Sequence, residues 1–457
     1  MNSAPVPRTP SASSTRPGPE PESEAAGDHG CGAADGGGIP FTAVDRYFAS
    51  HGPQVDPLLR MGAVLGFAGP APTLAEVREH VGARVPFLPG LTFRAGGPDR
   101  RPTWEADPSF AVSAHVHERR VPGGWPSVDT LLAELVDTPF AETGPLWEVW
   151  LVHDRAGAND AFALVFRTHH TTRDGVGLVA ALEALFGRRT PRAVVWPRPE
   201  PAIAAGTREL RFVTTGLGRW LRPGKHLPYR DGLRGERRIV SVCVPTSRLR
   251  AVSMAAGASW HQIHLAALTG ALRAHTPDAF PAGSRPLFAA MPVSTRLPDE
   301  AEDALGNHLM AFRVPLPCGT ADPVERLRRL QAATAGPRLL DVSQASRVFG
   351  RSLPVLGHWL GRTIMHPRCM PLLATSLHVR TPFEFAGRAP DAFALAPGHL
   401  PGHVLTGAMI TCSGRVQTCF SVDTALSDAD RLPHLWVHAL TELESALAQK
   451  SASDPLR

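Results

Sequence analysis

The chain of 457 residues contains no run of about 18 apolar residues, so no membrane-spanning helix is expected. Its N-terminus has no basic head followed by an apolar stretch, and so does not read as a signal peptide. Its six cysteines, Cys31, Cys243, Cys318, Cys369, Cys412 and Cys419, include no C-x-x-C pair, which fits neither a zinc module nor a disulfide framework. Reduced thiols and a cytoplasmic location follow as expectations. Lysine is nearly missing. Of 47 basic residues only Lys225 and Lys450 are lysines. The abundant arginine, beside much Ala and Pro, reflects codon usage, and with no recognised reader motif no nucleic-acid partner is expected.

What is present is globular. A hydrophobic content of 43% with 19% charged residues suits a folded chain rather than a disordered one. At about 150 residues per domain there is material for two or three domains. The 42 glycines and 45 prolines argue for many short elements joined by turns, an α/β or α+β plan.

Residues 1–38 are Pro, Ser, Gly, Ala and Glu with few large apolar side chains, the composition of a disordered tail. From Ile39 the pattern changes. Phe41, Val44, Tyr47 and Phe48 share helical spacing behind the N-cap candidate Thr42. Met61 to Phe67 reads as a strand, Thr73 to Val85 as a helix, Ser109 to Glu118 as a strand and Val128 to Val136 as a helix. Two strong strands follow, Leu146 to Val152 and Ala161 to Thr168, and then a helix from Val176 to Gly187 closes a first domain, 39–187. Residues 188–238 carry thirteen Arg or Lys against four Asp or Glu, so this Pro-rich stretch holds the basicity of a chain whose net charge is +5. It reads as a crossover, with one amphipathic piece through Leu210, Val213, Leu217, Trp220 and Leu221. A second domain, 239–450, opens with a strand at Ile239 to Val244 and helices at Ser247 to Ala256 and Trp260 to His275. Strands at Pro286 to Val293, Met310 to Val314 and Val416 to Val422, and helices at Pro323 to Ala335 and Asp428 to Leu447, complete it. Residues 451–457 form a tail.

Chemistry concentrates at His169-His170-Thr171-Thr172-Arg173-Asp174-Gly175, at a strand end leading into a helix, where functional side chains are commonly displayed. Adjacent side chains on an extended backbone point in opposite directions, so one histidine faces a site while the other packs or orients. An imidazole near its ordinary pKa removes a proton from a hydroxyl or amine attacking a thioester. Asp174 is placed to pair with an arginine and fix the turn, and Gly175 allows a positive φ or a close approach. A bare His-His pair is ordinary packing; the whole constellation is what carries information.

That constellation resembles the H-H-x-x-x-D-G signature of the CoA-dependent acyltransferase superfamily, and the chain is most similar within it to the bacterial wax ester synthase/diacylglycerol acyltransferase family. The resemblance runs from Ile39 to Leu447. It takes in Thr42-Ala43-Val44-Asp45-Arg46-Tyr47-Phe48, Gly62-Ala63-Val64-Leu65, Pro145-Leu146-Trp147-Glu148, Pro292-Val293-Ser294-Thr295-Arg296, Leu305-Gly306-Asn307, the Gly398-His399 loop and Gly414. It implies two chloramphenicol acetyltransferase-like domains, each a mixed sheet with flanking helices, joined by a crossover and enclosing a central tunnel. It implies His170 as general base, His169 in support, and direct transfer from an acyl-CoA co-substrate with no bound cofactor or metal. Asp174 would be held by Arg296. Asn307 is a candidate to orient the thioester or its oxyanion and equally a turn residue, and Thr171 is a further candidate for substrate contact.

Three segments depart from the family pattern. Gly257-Ala258-Ser259-Trp260-His261-Gln262 replaces an Asn-Asp element, and Ser376-Leu377-His378-Val379-Arg380-Thr381-Pro382 replaces an Asn-Val-Pro-Gly-Pro-like one. Thr171, Thr172 and Arg173 are bulky where small or apolar residues are usual. The acceptor therefore stays open between a lipid alcohol, a non-lipid alcohol or an amine, and the donor between acyl-CoA and a carrier-protein thioester. A binding homologue without turnover also remains. For 188–238, contact with CoA phosphates, attachment to an anionic membrane or lipid-droplet surface through the Trp220 face, and a solvated linker stay open. His399 and His403 flank Pro401 and Gly402 and do not read as metal ligands, while Asp423 and Asp428 read as turn and helix-cap residues.

Overall fold

The computed structural model describes residues 38–51, 56–98, 101–122, 127–141, 144–154, 161–188, 224–228, 232–296, 305–336 and 365–453. The N-terminal tail and most of the basic crossover, with its Trp220 face, lie outside these residues. The first half runs β1 (Ile39–Pro40), α1 (Ala43–Ala49), β2 (Arg60–Ala68), α2 (Leu74–Arg84), β3 (Phe93–Gly96), β4 (Thr103–Ala106) and β5 (Val116–Arg120). It continues with α3 (Val128–Asp137), β6 (Trp147–His153), β7 (Ala161–His169) and α4 (Gly175–Phe186). The second runs β8 (Arg237–Pro245), α5 (Thr246–Ala256), α6 (Trp260–His275), β9 (Leu287–Ser294), β10 (Leu309–Leu316) and α7 (Pro323–Ala333). It ends with β11 (Leu372–His378), β12 (Ala392–Ala396), β13 (Leu405–Cys412), β14 (Arg415–Asp423) and α8 (Leu432–Ser453).

Local chemistry sets many of these boundaries. Thr42, Thr73 and Ser259 each open a helix with a reciprocal capping box, to Asp45, Glu76 and Gln262. The strand expected from Ser109 begins only at Val116. Upstream, the Asp107 carboxylate takes both the backbone N–H and the hydroxyl of Ser109, and this local turn outcompetes strand pairing. Asp428 stands before a short 3-10 turn but makes no side-chain cap there, whereas Asp423 accepts the backbone N–H groups of Arg234, Gly235 and Ala425.

This is a mixed α/β fold of two mixed sheets, each with one or more parallel pairs among antiparallel ones. The first has the order β12-β2-β7-β6-β5 and the second β10-β9-β11-β13-β14-β8; a small sheet, β1-β4-β3, sits apart. One strand crosses from the second half of the chain into the first sheet. β12 comes from the second half yet pairs with β2 from Ala392 against Gly66 to Ala396 against Gly62.

α6 and α8 cover one face of the second sheet through Ile263, Leu268, Trp436 and Leu440. α4 is buried along its length from Gly177 to Phe186, in a core that joins Leu164 and Phe166 of the first sheet to Ala408 and Ile410 of the second. A helix whose one charged side chain is Glu183 has to be enclosed, and this one packs against both sheets. Its first residue, Gly175, follows directly on the histidine motif, and the buried stretch begins two residues later at Gly177. Gly175 allows a close approach: a β-carbon there would stand 3.1 Å from Leu377 Cδ2 of β11.

Candidate active site

The histidine motif extends the end of β7. His169 N–H still bonds to Leu146 O at 3.0 Å, but His170 N–H turns to Leu59 O at 2.8 Å, and Thr172 N–H and hydroxyl both close on His169 O. The chain then reaches the other half, where Gly306 N–H bonds to Thr172 O at 2.6 Å with Gly306 at a φ of 75°. A left-handed backbone of this kind is one glycine adopts without penalty.

His170 is stacked on Phe48 of α1, with centroids 4.2 Å apart. Its Nδ1 lies 3.0 Å from Asn307 Oδ1. Among the described residues no protein hydrogen bond is made to Nε2, and His170 as a residue is half-buried. Along the other ring edge runs Gly398, where a β-carbon would stand 3.0 Å from Cδ2. Burial pushes the imidazole pKa below its ordinary value, so the ring is neutral at neutral pH.

His169 faces away. Its Nε2 is 3.1 Å from Asp56 Oδ1, and its Nδ1 receives the Thr171 N–H. Asp56 also takes Arg60, and the His169 contact is the largest cause holding this carboxyl down to about 2. Arg60 in turn reaches Asp137 O, and Arg237 binds the Asp137 carboxylate together with Leu58 O and Arg60 O. The two imidazoles thus part company, and His169 anchors the segment that supplies Leu59 O.

Asp174 does several structural jobs at once. It N-caps α4 by accepting Gly177 N–H at 2.9 Å, takes His308 N–H at 3.0 Å, and pairs with Arg296 Nη1 at 2.7 Å. Burial by itself raises its pKa, yet the Arg296 guanidinium outweighs this and holds the carboxyl at about 2. The arginine named from sequence is thus the one that meets the aspartate.

Of the two roles left open for Asn307 its contacts favour the structural one, and Thr171 is placed differently from the expectation. The Asn307 amide nitrogen donates to Asp45 Oδ1, His170 O and Thr171 O at 2.9, 2.9 and 3.0 Å, so its donors are engaged inside the protein rather than offered to a thioester. Thr171 is buried, with its N–H on His169 and its carbonyl on Asn307. Arg296, engaged by Asp174, is likewise a motif anchor. Sequence reasoning missed Asp45, whose side chain is fully buried, and Asp56; only Asp45 left a signal, its capping-box spacing from Thr42.

Two of the three departing segments meet each other. His261 Nδ1 lies 2.7 Å from Ser376 Oγ, and burial lowers the His261 pKa to about 4. Downstream of Ser376, Glu183 of α4 accepts the backbone N–H groups of Arg380 and Thr381 and pairs with the Arg380 side chain. His399 and His403 are tied to backbone carbonyls, His399 to Ser421 and His403, and His403 to Pro401. Among the described residues no group of three His, Cys, Asp or Glu side chains is arranged to hold a metal, and none of the five described cysteines forms a disulfide. No helix there is long and apolar enough to cross a membrane.

Sequence comparison bears directly on this arrangement. Residues 42–217 match the wax ester synthase/diacylglycerol acyltransferase catalytic domain, and residues 305–444 match the C-terminal domain of the same family. The chain belongs to this family. A Mycobacterium tuberculosis protein inferred to be a diacylglycerol O-acyltransferase is 28% identical over 271 residues, 51% of this chain and 56% of that relative. The chain thus spans about half the length of the curated relatives it matches. Among solved structures, the wax ester synthase/diacylglycerol acyltransferase of Marinobacter aquaeolei superposes with a TM-score of 0.62 at 16% identity, covering 90% of this chain and 100% of that one. The first condensation domain of the calcium-dependent antibiotic synthetase gives 0.64 at 16% identity over 90% and 96%. The starter condensation domain of rhizomide synthetase, bound to C8-CoA, gives 0.62 at 12% identity over 90% and 95%. Both family domains share this architecture with the condensation domains.

Proposed function

We propose that this protein is an O-acyltransferase that moves an acyl group from acyl-CoA to an alcohol, with His170 as general base and no acyl-enzyme. The observation that carries the reading is the asymmetry of the His170 ring: Nδ1 is engaged by Asn307 while, among the described residues, no hydrogen bond is made to Nε2. Family membership and the relatives' inferred activity support the reaction class. The C8-CoA held by a protein of the same fold supports the donor.

In this mechanism Nε2 takes the hydroxyl proton as the alcohol oxygen bonds to the thioester carbonyl carbon. The tetrahedral oxyanion collapses, the carbon–sulfur bond breaks, and the imidazolium returns its proton to the departing thiolate. Ester and free CoA thiol leave together. His169 and Asp174 do not touch the reacting atoms; they hold the turn that carries His170. Domain limits at 39–187 and 239–450, with a crossover between, are part of the same reading.

The test compares the protein with its His170→Ala variant across acyl-CoAs of several lengths and a panel of alcohols and amines, following thiol release. Loss of the base should lower the rate by about a hundredfold to ten-thousandfold. Equal release from the two proteins overturns the assignment. Turnover with an amine but no alcohol overturns the O-acyl reading, and turnover with a carrier-protein thioester but no acyl-CoA overturns the donor.

A further inference from the structure

We propose that Asp45 is a positioning residue that fixes the protonation site of His170 through Asn307. Its consequence for catalysis rests on the reading above; its structural content does not.

Asp45 is the N3 residue of α1, and a capping box asks only that its carboxylate bond back to Thr42 N–H. Oδ2 makes that bond at 2.8 Å and also accepts Trp104 Nε1–H at 3.3 Å. Oδ1 does something else. It accepts both the backbone N–H and the side-chain amide of Asn307, at 2.8 and 2.9 Å, from 262 positions away in sequence. Four N–H donors surround a side chain with no exposed surface. A buried carboxylate acquires that many donors only where the fold keeps it in one orientation.

The consequence falls on the Asn307 amide. Its two ends are nearly alike in shape, so chemistry has to decide which is which. The nitrogen end faces three oxygens, of Asp45, His170 and Thr171. Turned over, the amide oxygen would confront all three, one of them a carboxylate oxygen. The amide therefore stands with Oδ1 toward His170 Nδ1, at 3.0 Å. A carbonyl oxygen has only lone pairs to offer, so Nδ1 carries the hydrogen. In the neutral ring Nε2 is then the bare nitrogen, the one to which no described residue makes a hydrogen bond.

The logic is that of a carboxylate orienting a catalytic imidazole, with one difference: a neutral amide stands between them. Orientation passes along the chain, whereas the negative charge does not touch the ring. His170 is thereby kept in its base form without an ion pair that would favour the imidazolium.

The experiment reads the two ring nitrogens of His170 by proton–nitrogen NMR on the full chain with labelled histidine, assigned with His170→Ala, at a pH where the ring is neutral. The wild type should show a protonated Nδ1 and a bare Nε2; the reverse overturns the proposal before any variant is made. Asp45→Ala should mix the two tautomers and lower kcat by about tenfold or more. Thr73→Val breaks the matching capping box on α2, far from the ring, and controls for lost stability; it should leave tautomer and kcat unchanged. If Asp45→Ala keeps the wild-type pattern, or Thr73→Val mimics Asp45→Ala, Asp45 is merely a helix cap and the proposal fails. If His170→Ala keeps its activity while the tautomer results hold, the functional reading fails and this inference stands.

Discussion

Asp174 Oδ2 and Arg296 Nη1 lie 2.7 Å apart, and each side chain keeps only 2% of its surface in water. The pair ties the histidine turn, at the head of α4, to the segment leaving β9 in the other sheet. Desolvating two charges is costly, so such a pair adds little by existing but is expensive to break from one side.

Arg296→Leu strands the Asp174 carboxylate in a buried site and should cost about 3–5 kcal/mol of stability, measured by urea unfolding. A loss below about 1 kcal/mol, the range of an exposed pair, would show that solvent reaches the aspartate. The pH dependence has a definite sign. Asp174 sits at about 2 in the folded protein and near 4 when unfolded, so its stabilisation is complete above pH 4 and is lost as pH falls toward 2. In the wild type the pair resists acid through that window, and the variant should unfold at higher pH.

His170 should set the acid limb of activity. Burial lowers its pKa, so the neutral base persists to lower pH than for an exposed histidine. The limb in kcat/KM belongs below about 6.5, the ordinary imidazole value. A pH–rate profile with its limb at or above that value contradicts the burial argument.

Gly398 is required because a β-carbon there would stand 3.0 Å from His170 Cδ2. Gly398→Ala should shift the ring by a few tenths of an ångström and lower kcat/KM by about tenfold, with little change in thermal midpoint. Wild-type kinetics in this variant would mean that the ring edge has room to spare.

Much of this was legible in sequence because it is local. The extents of α6, β6, β7 and α4 follow from hydrophobic period and caps, and the His169 to Gly175 turn from its own residues. The Arg296 partnership came from the family resemblance. What sequence did not show depends on partners far along the chain. β12 is an Ala-rich stretch with weak strand preference, made a strand by pairing with β2. The Asp56–His169 contact joins a loop to a motif more than a hundred positions away. Between the two roles left open for Asn307 the sequence cannot choose, since nothing local shows that its donors are already taken by Asp45, His170 and Thr171.

The seat of β12 has a consequence for how the chain is made. Until residue 396 has left the ribosome, β2 is an open border with unpaired backbone groups, a surface prone to joining other chains. The first sheet therefore cannot mature ahead of the second, as sequential domains usually do. A fragment ending before the crossover should aggregate, and supplying the missing strand as a separate peptide should restore it to solution.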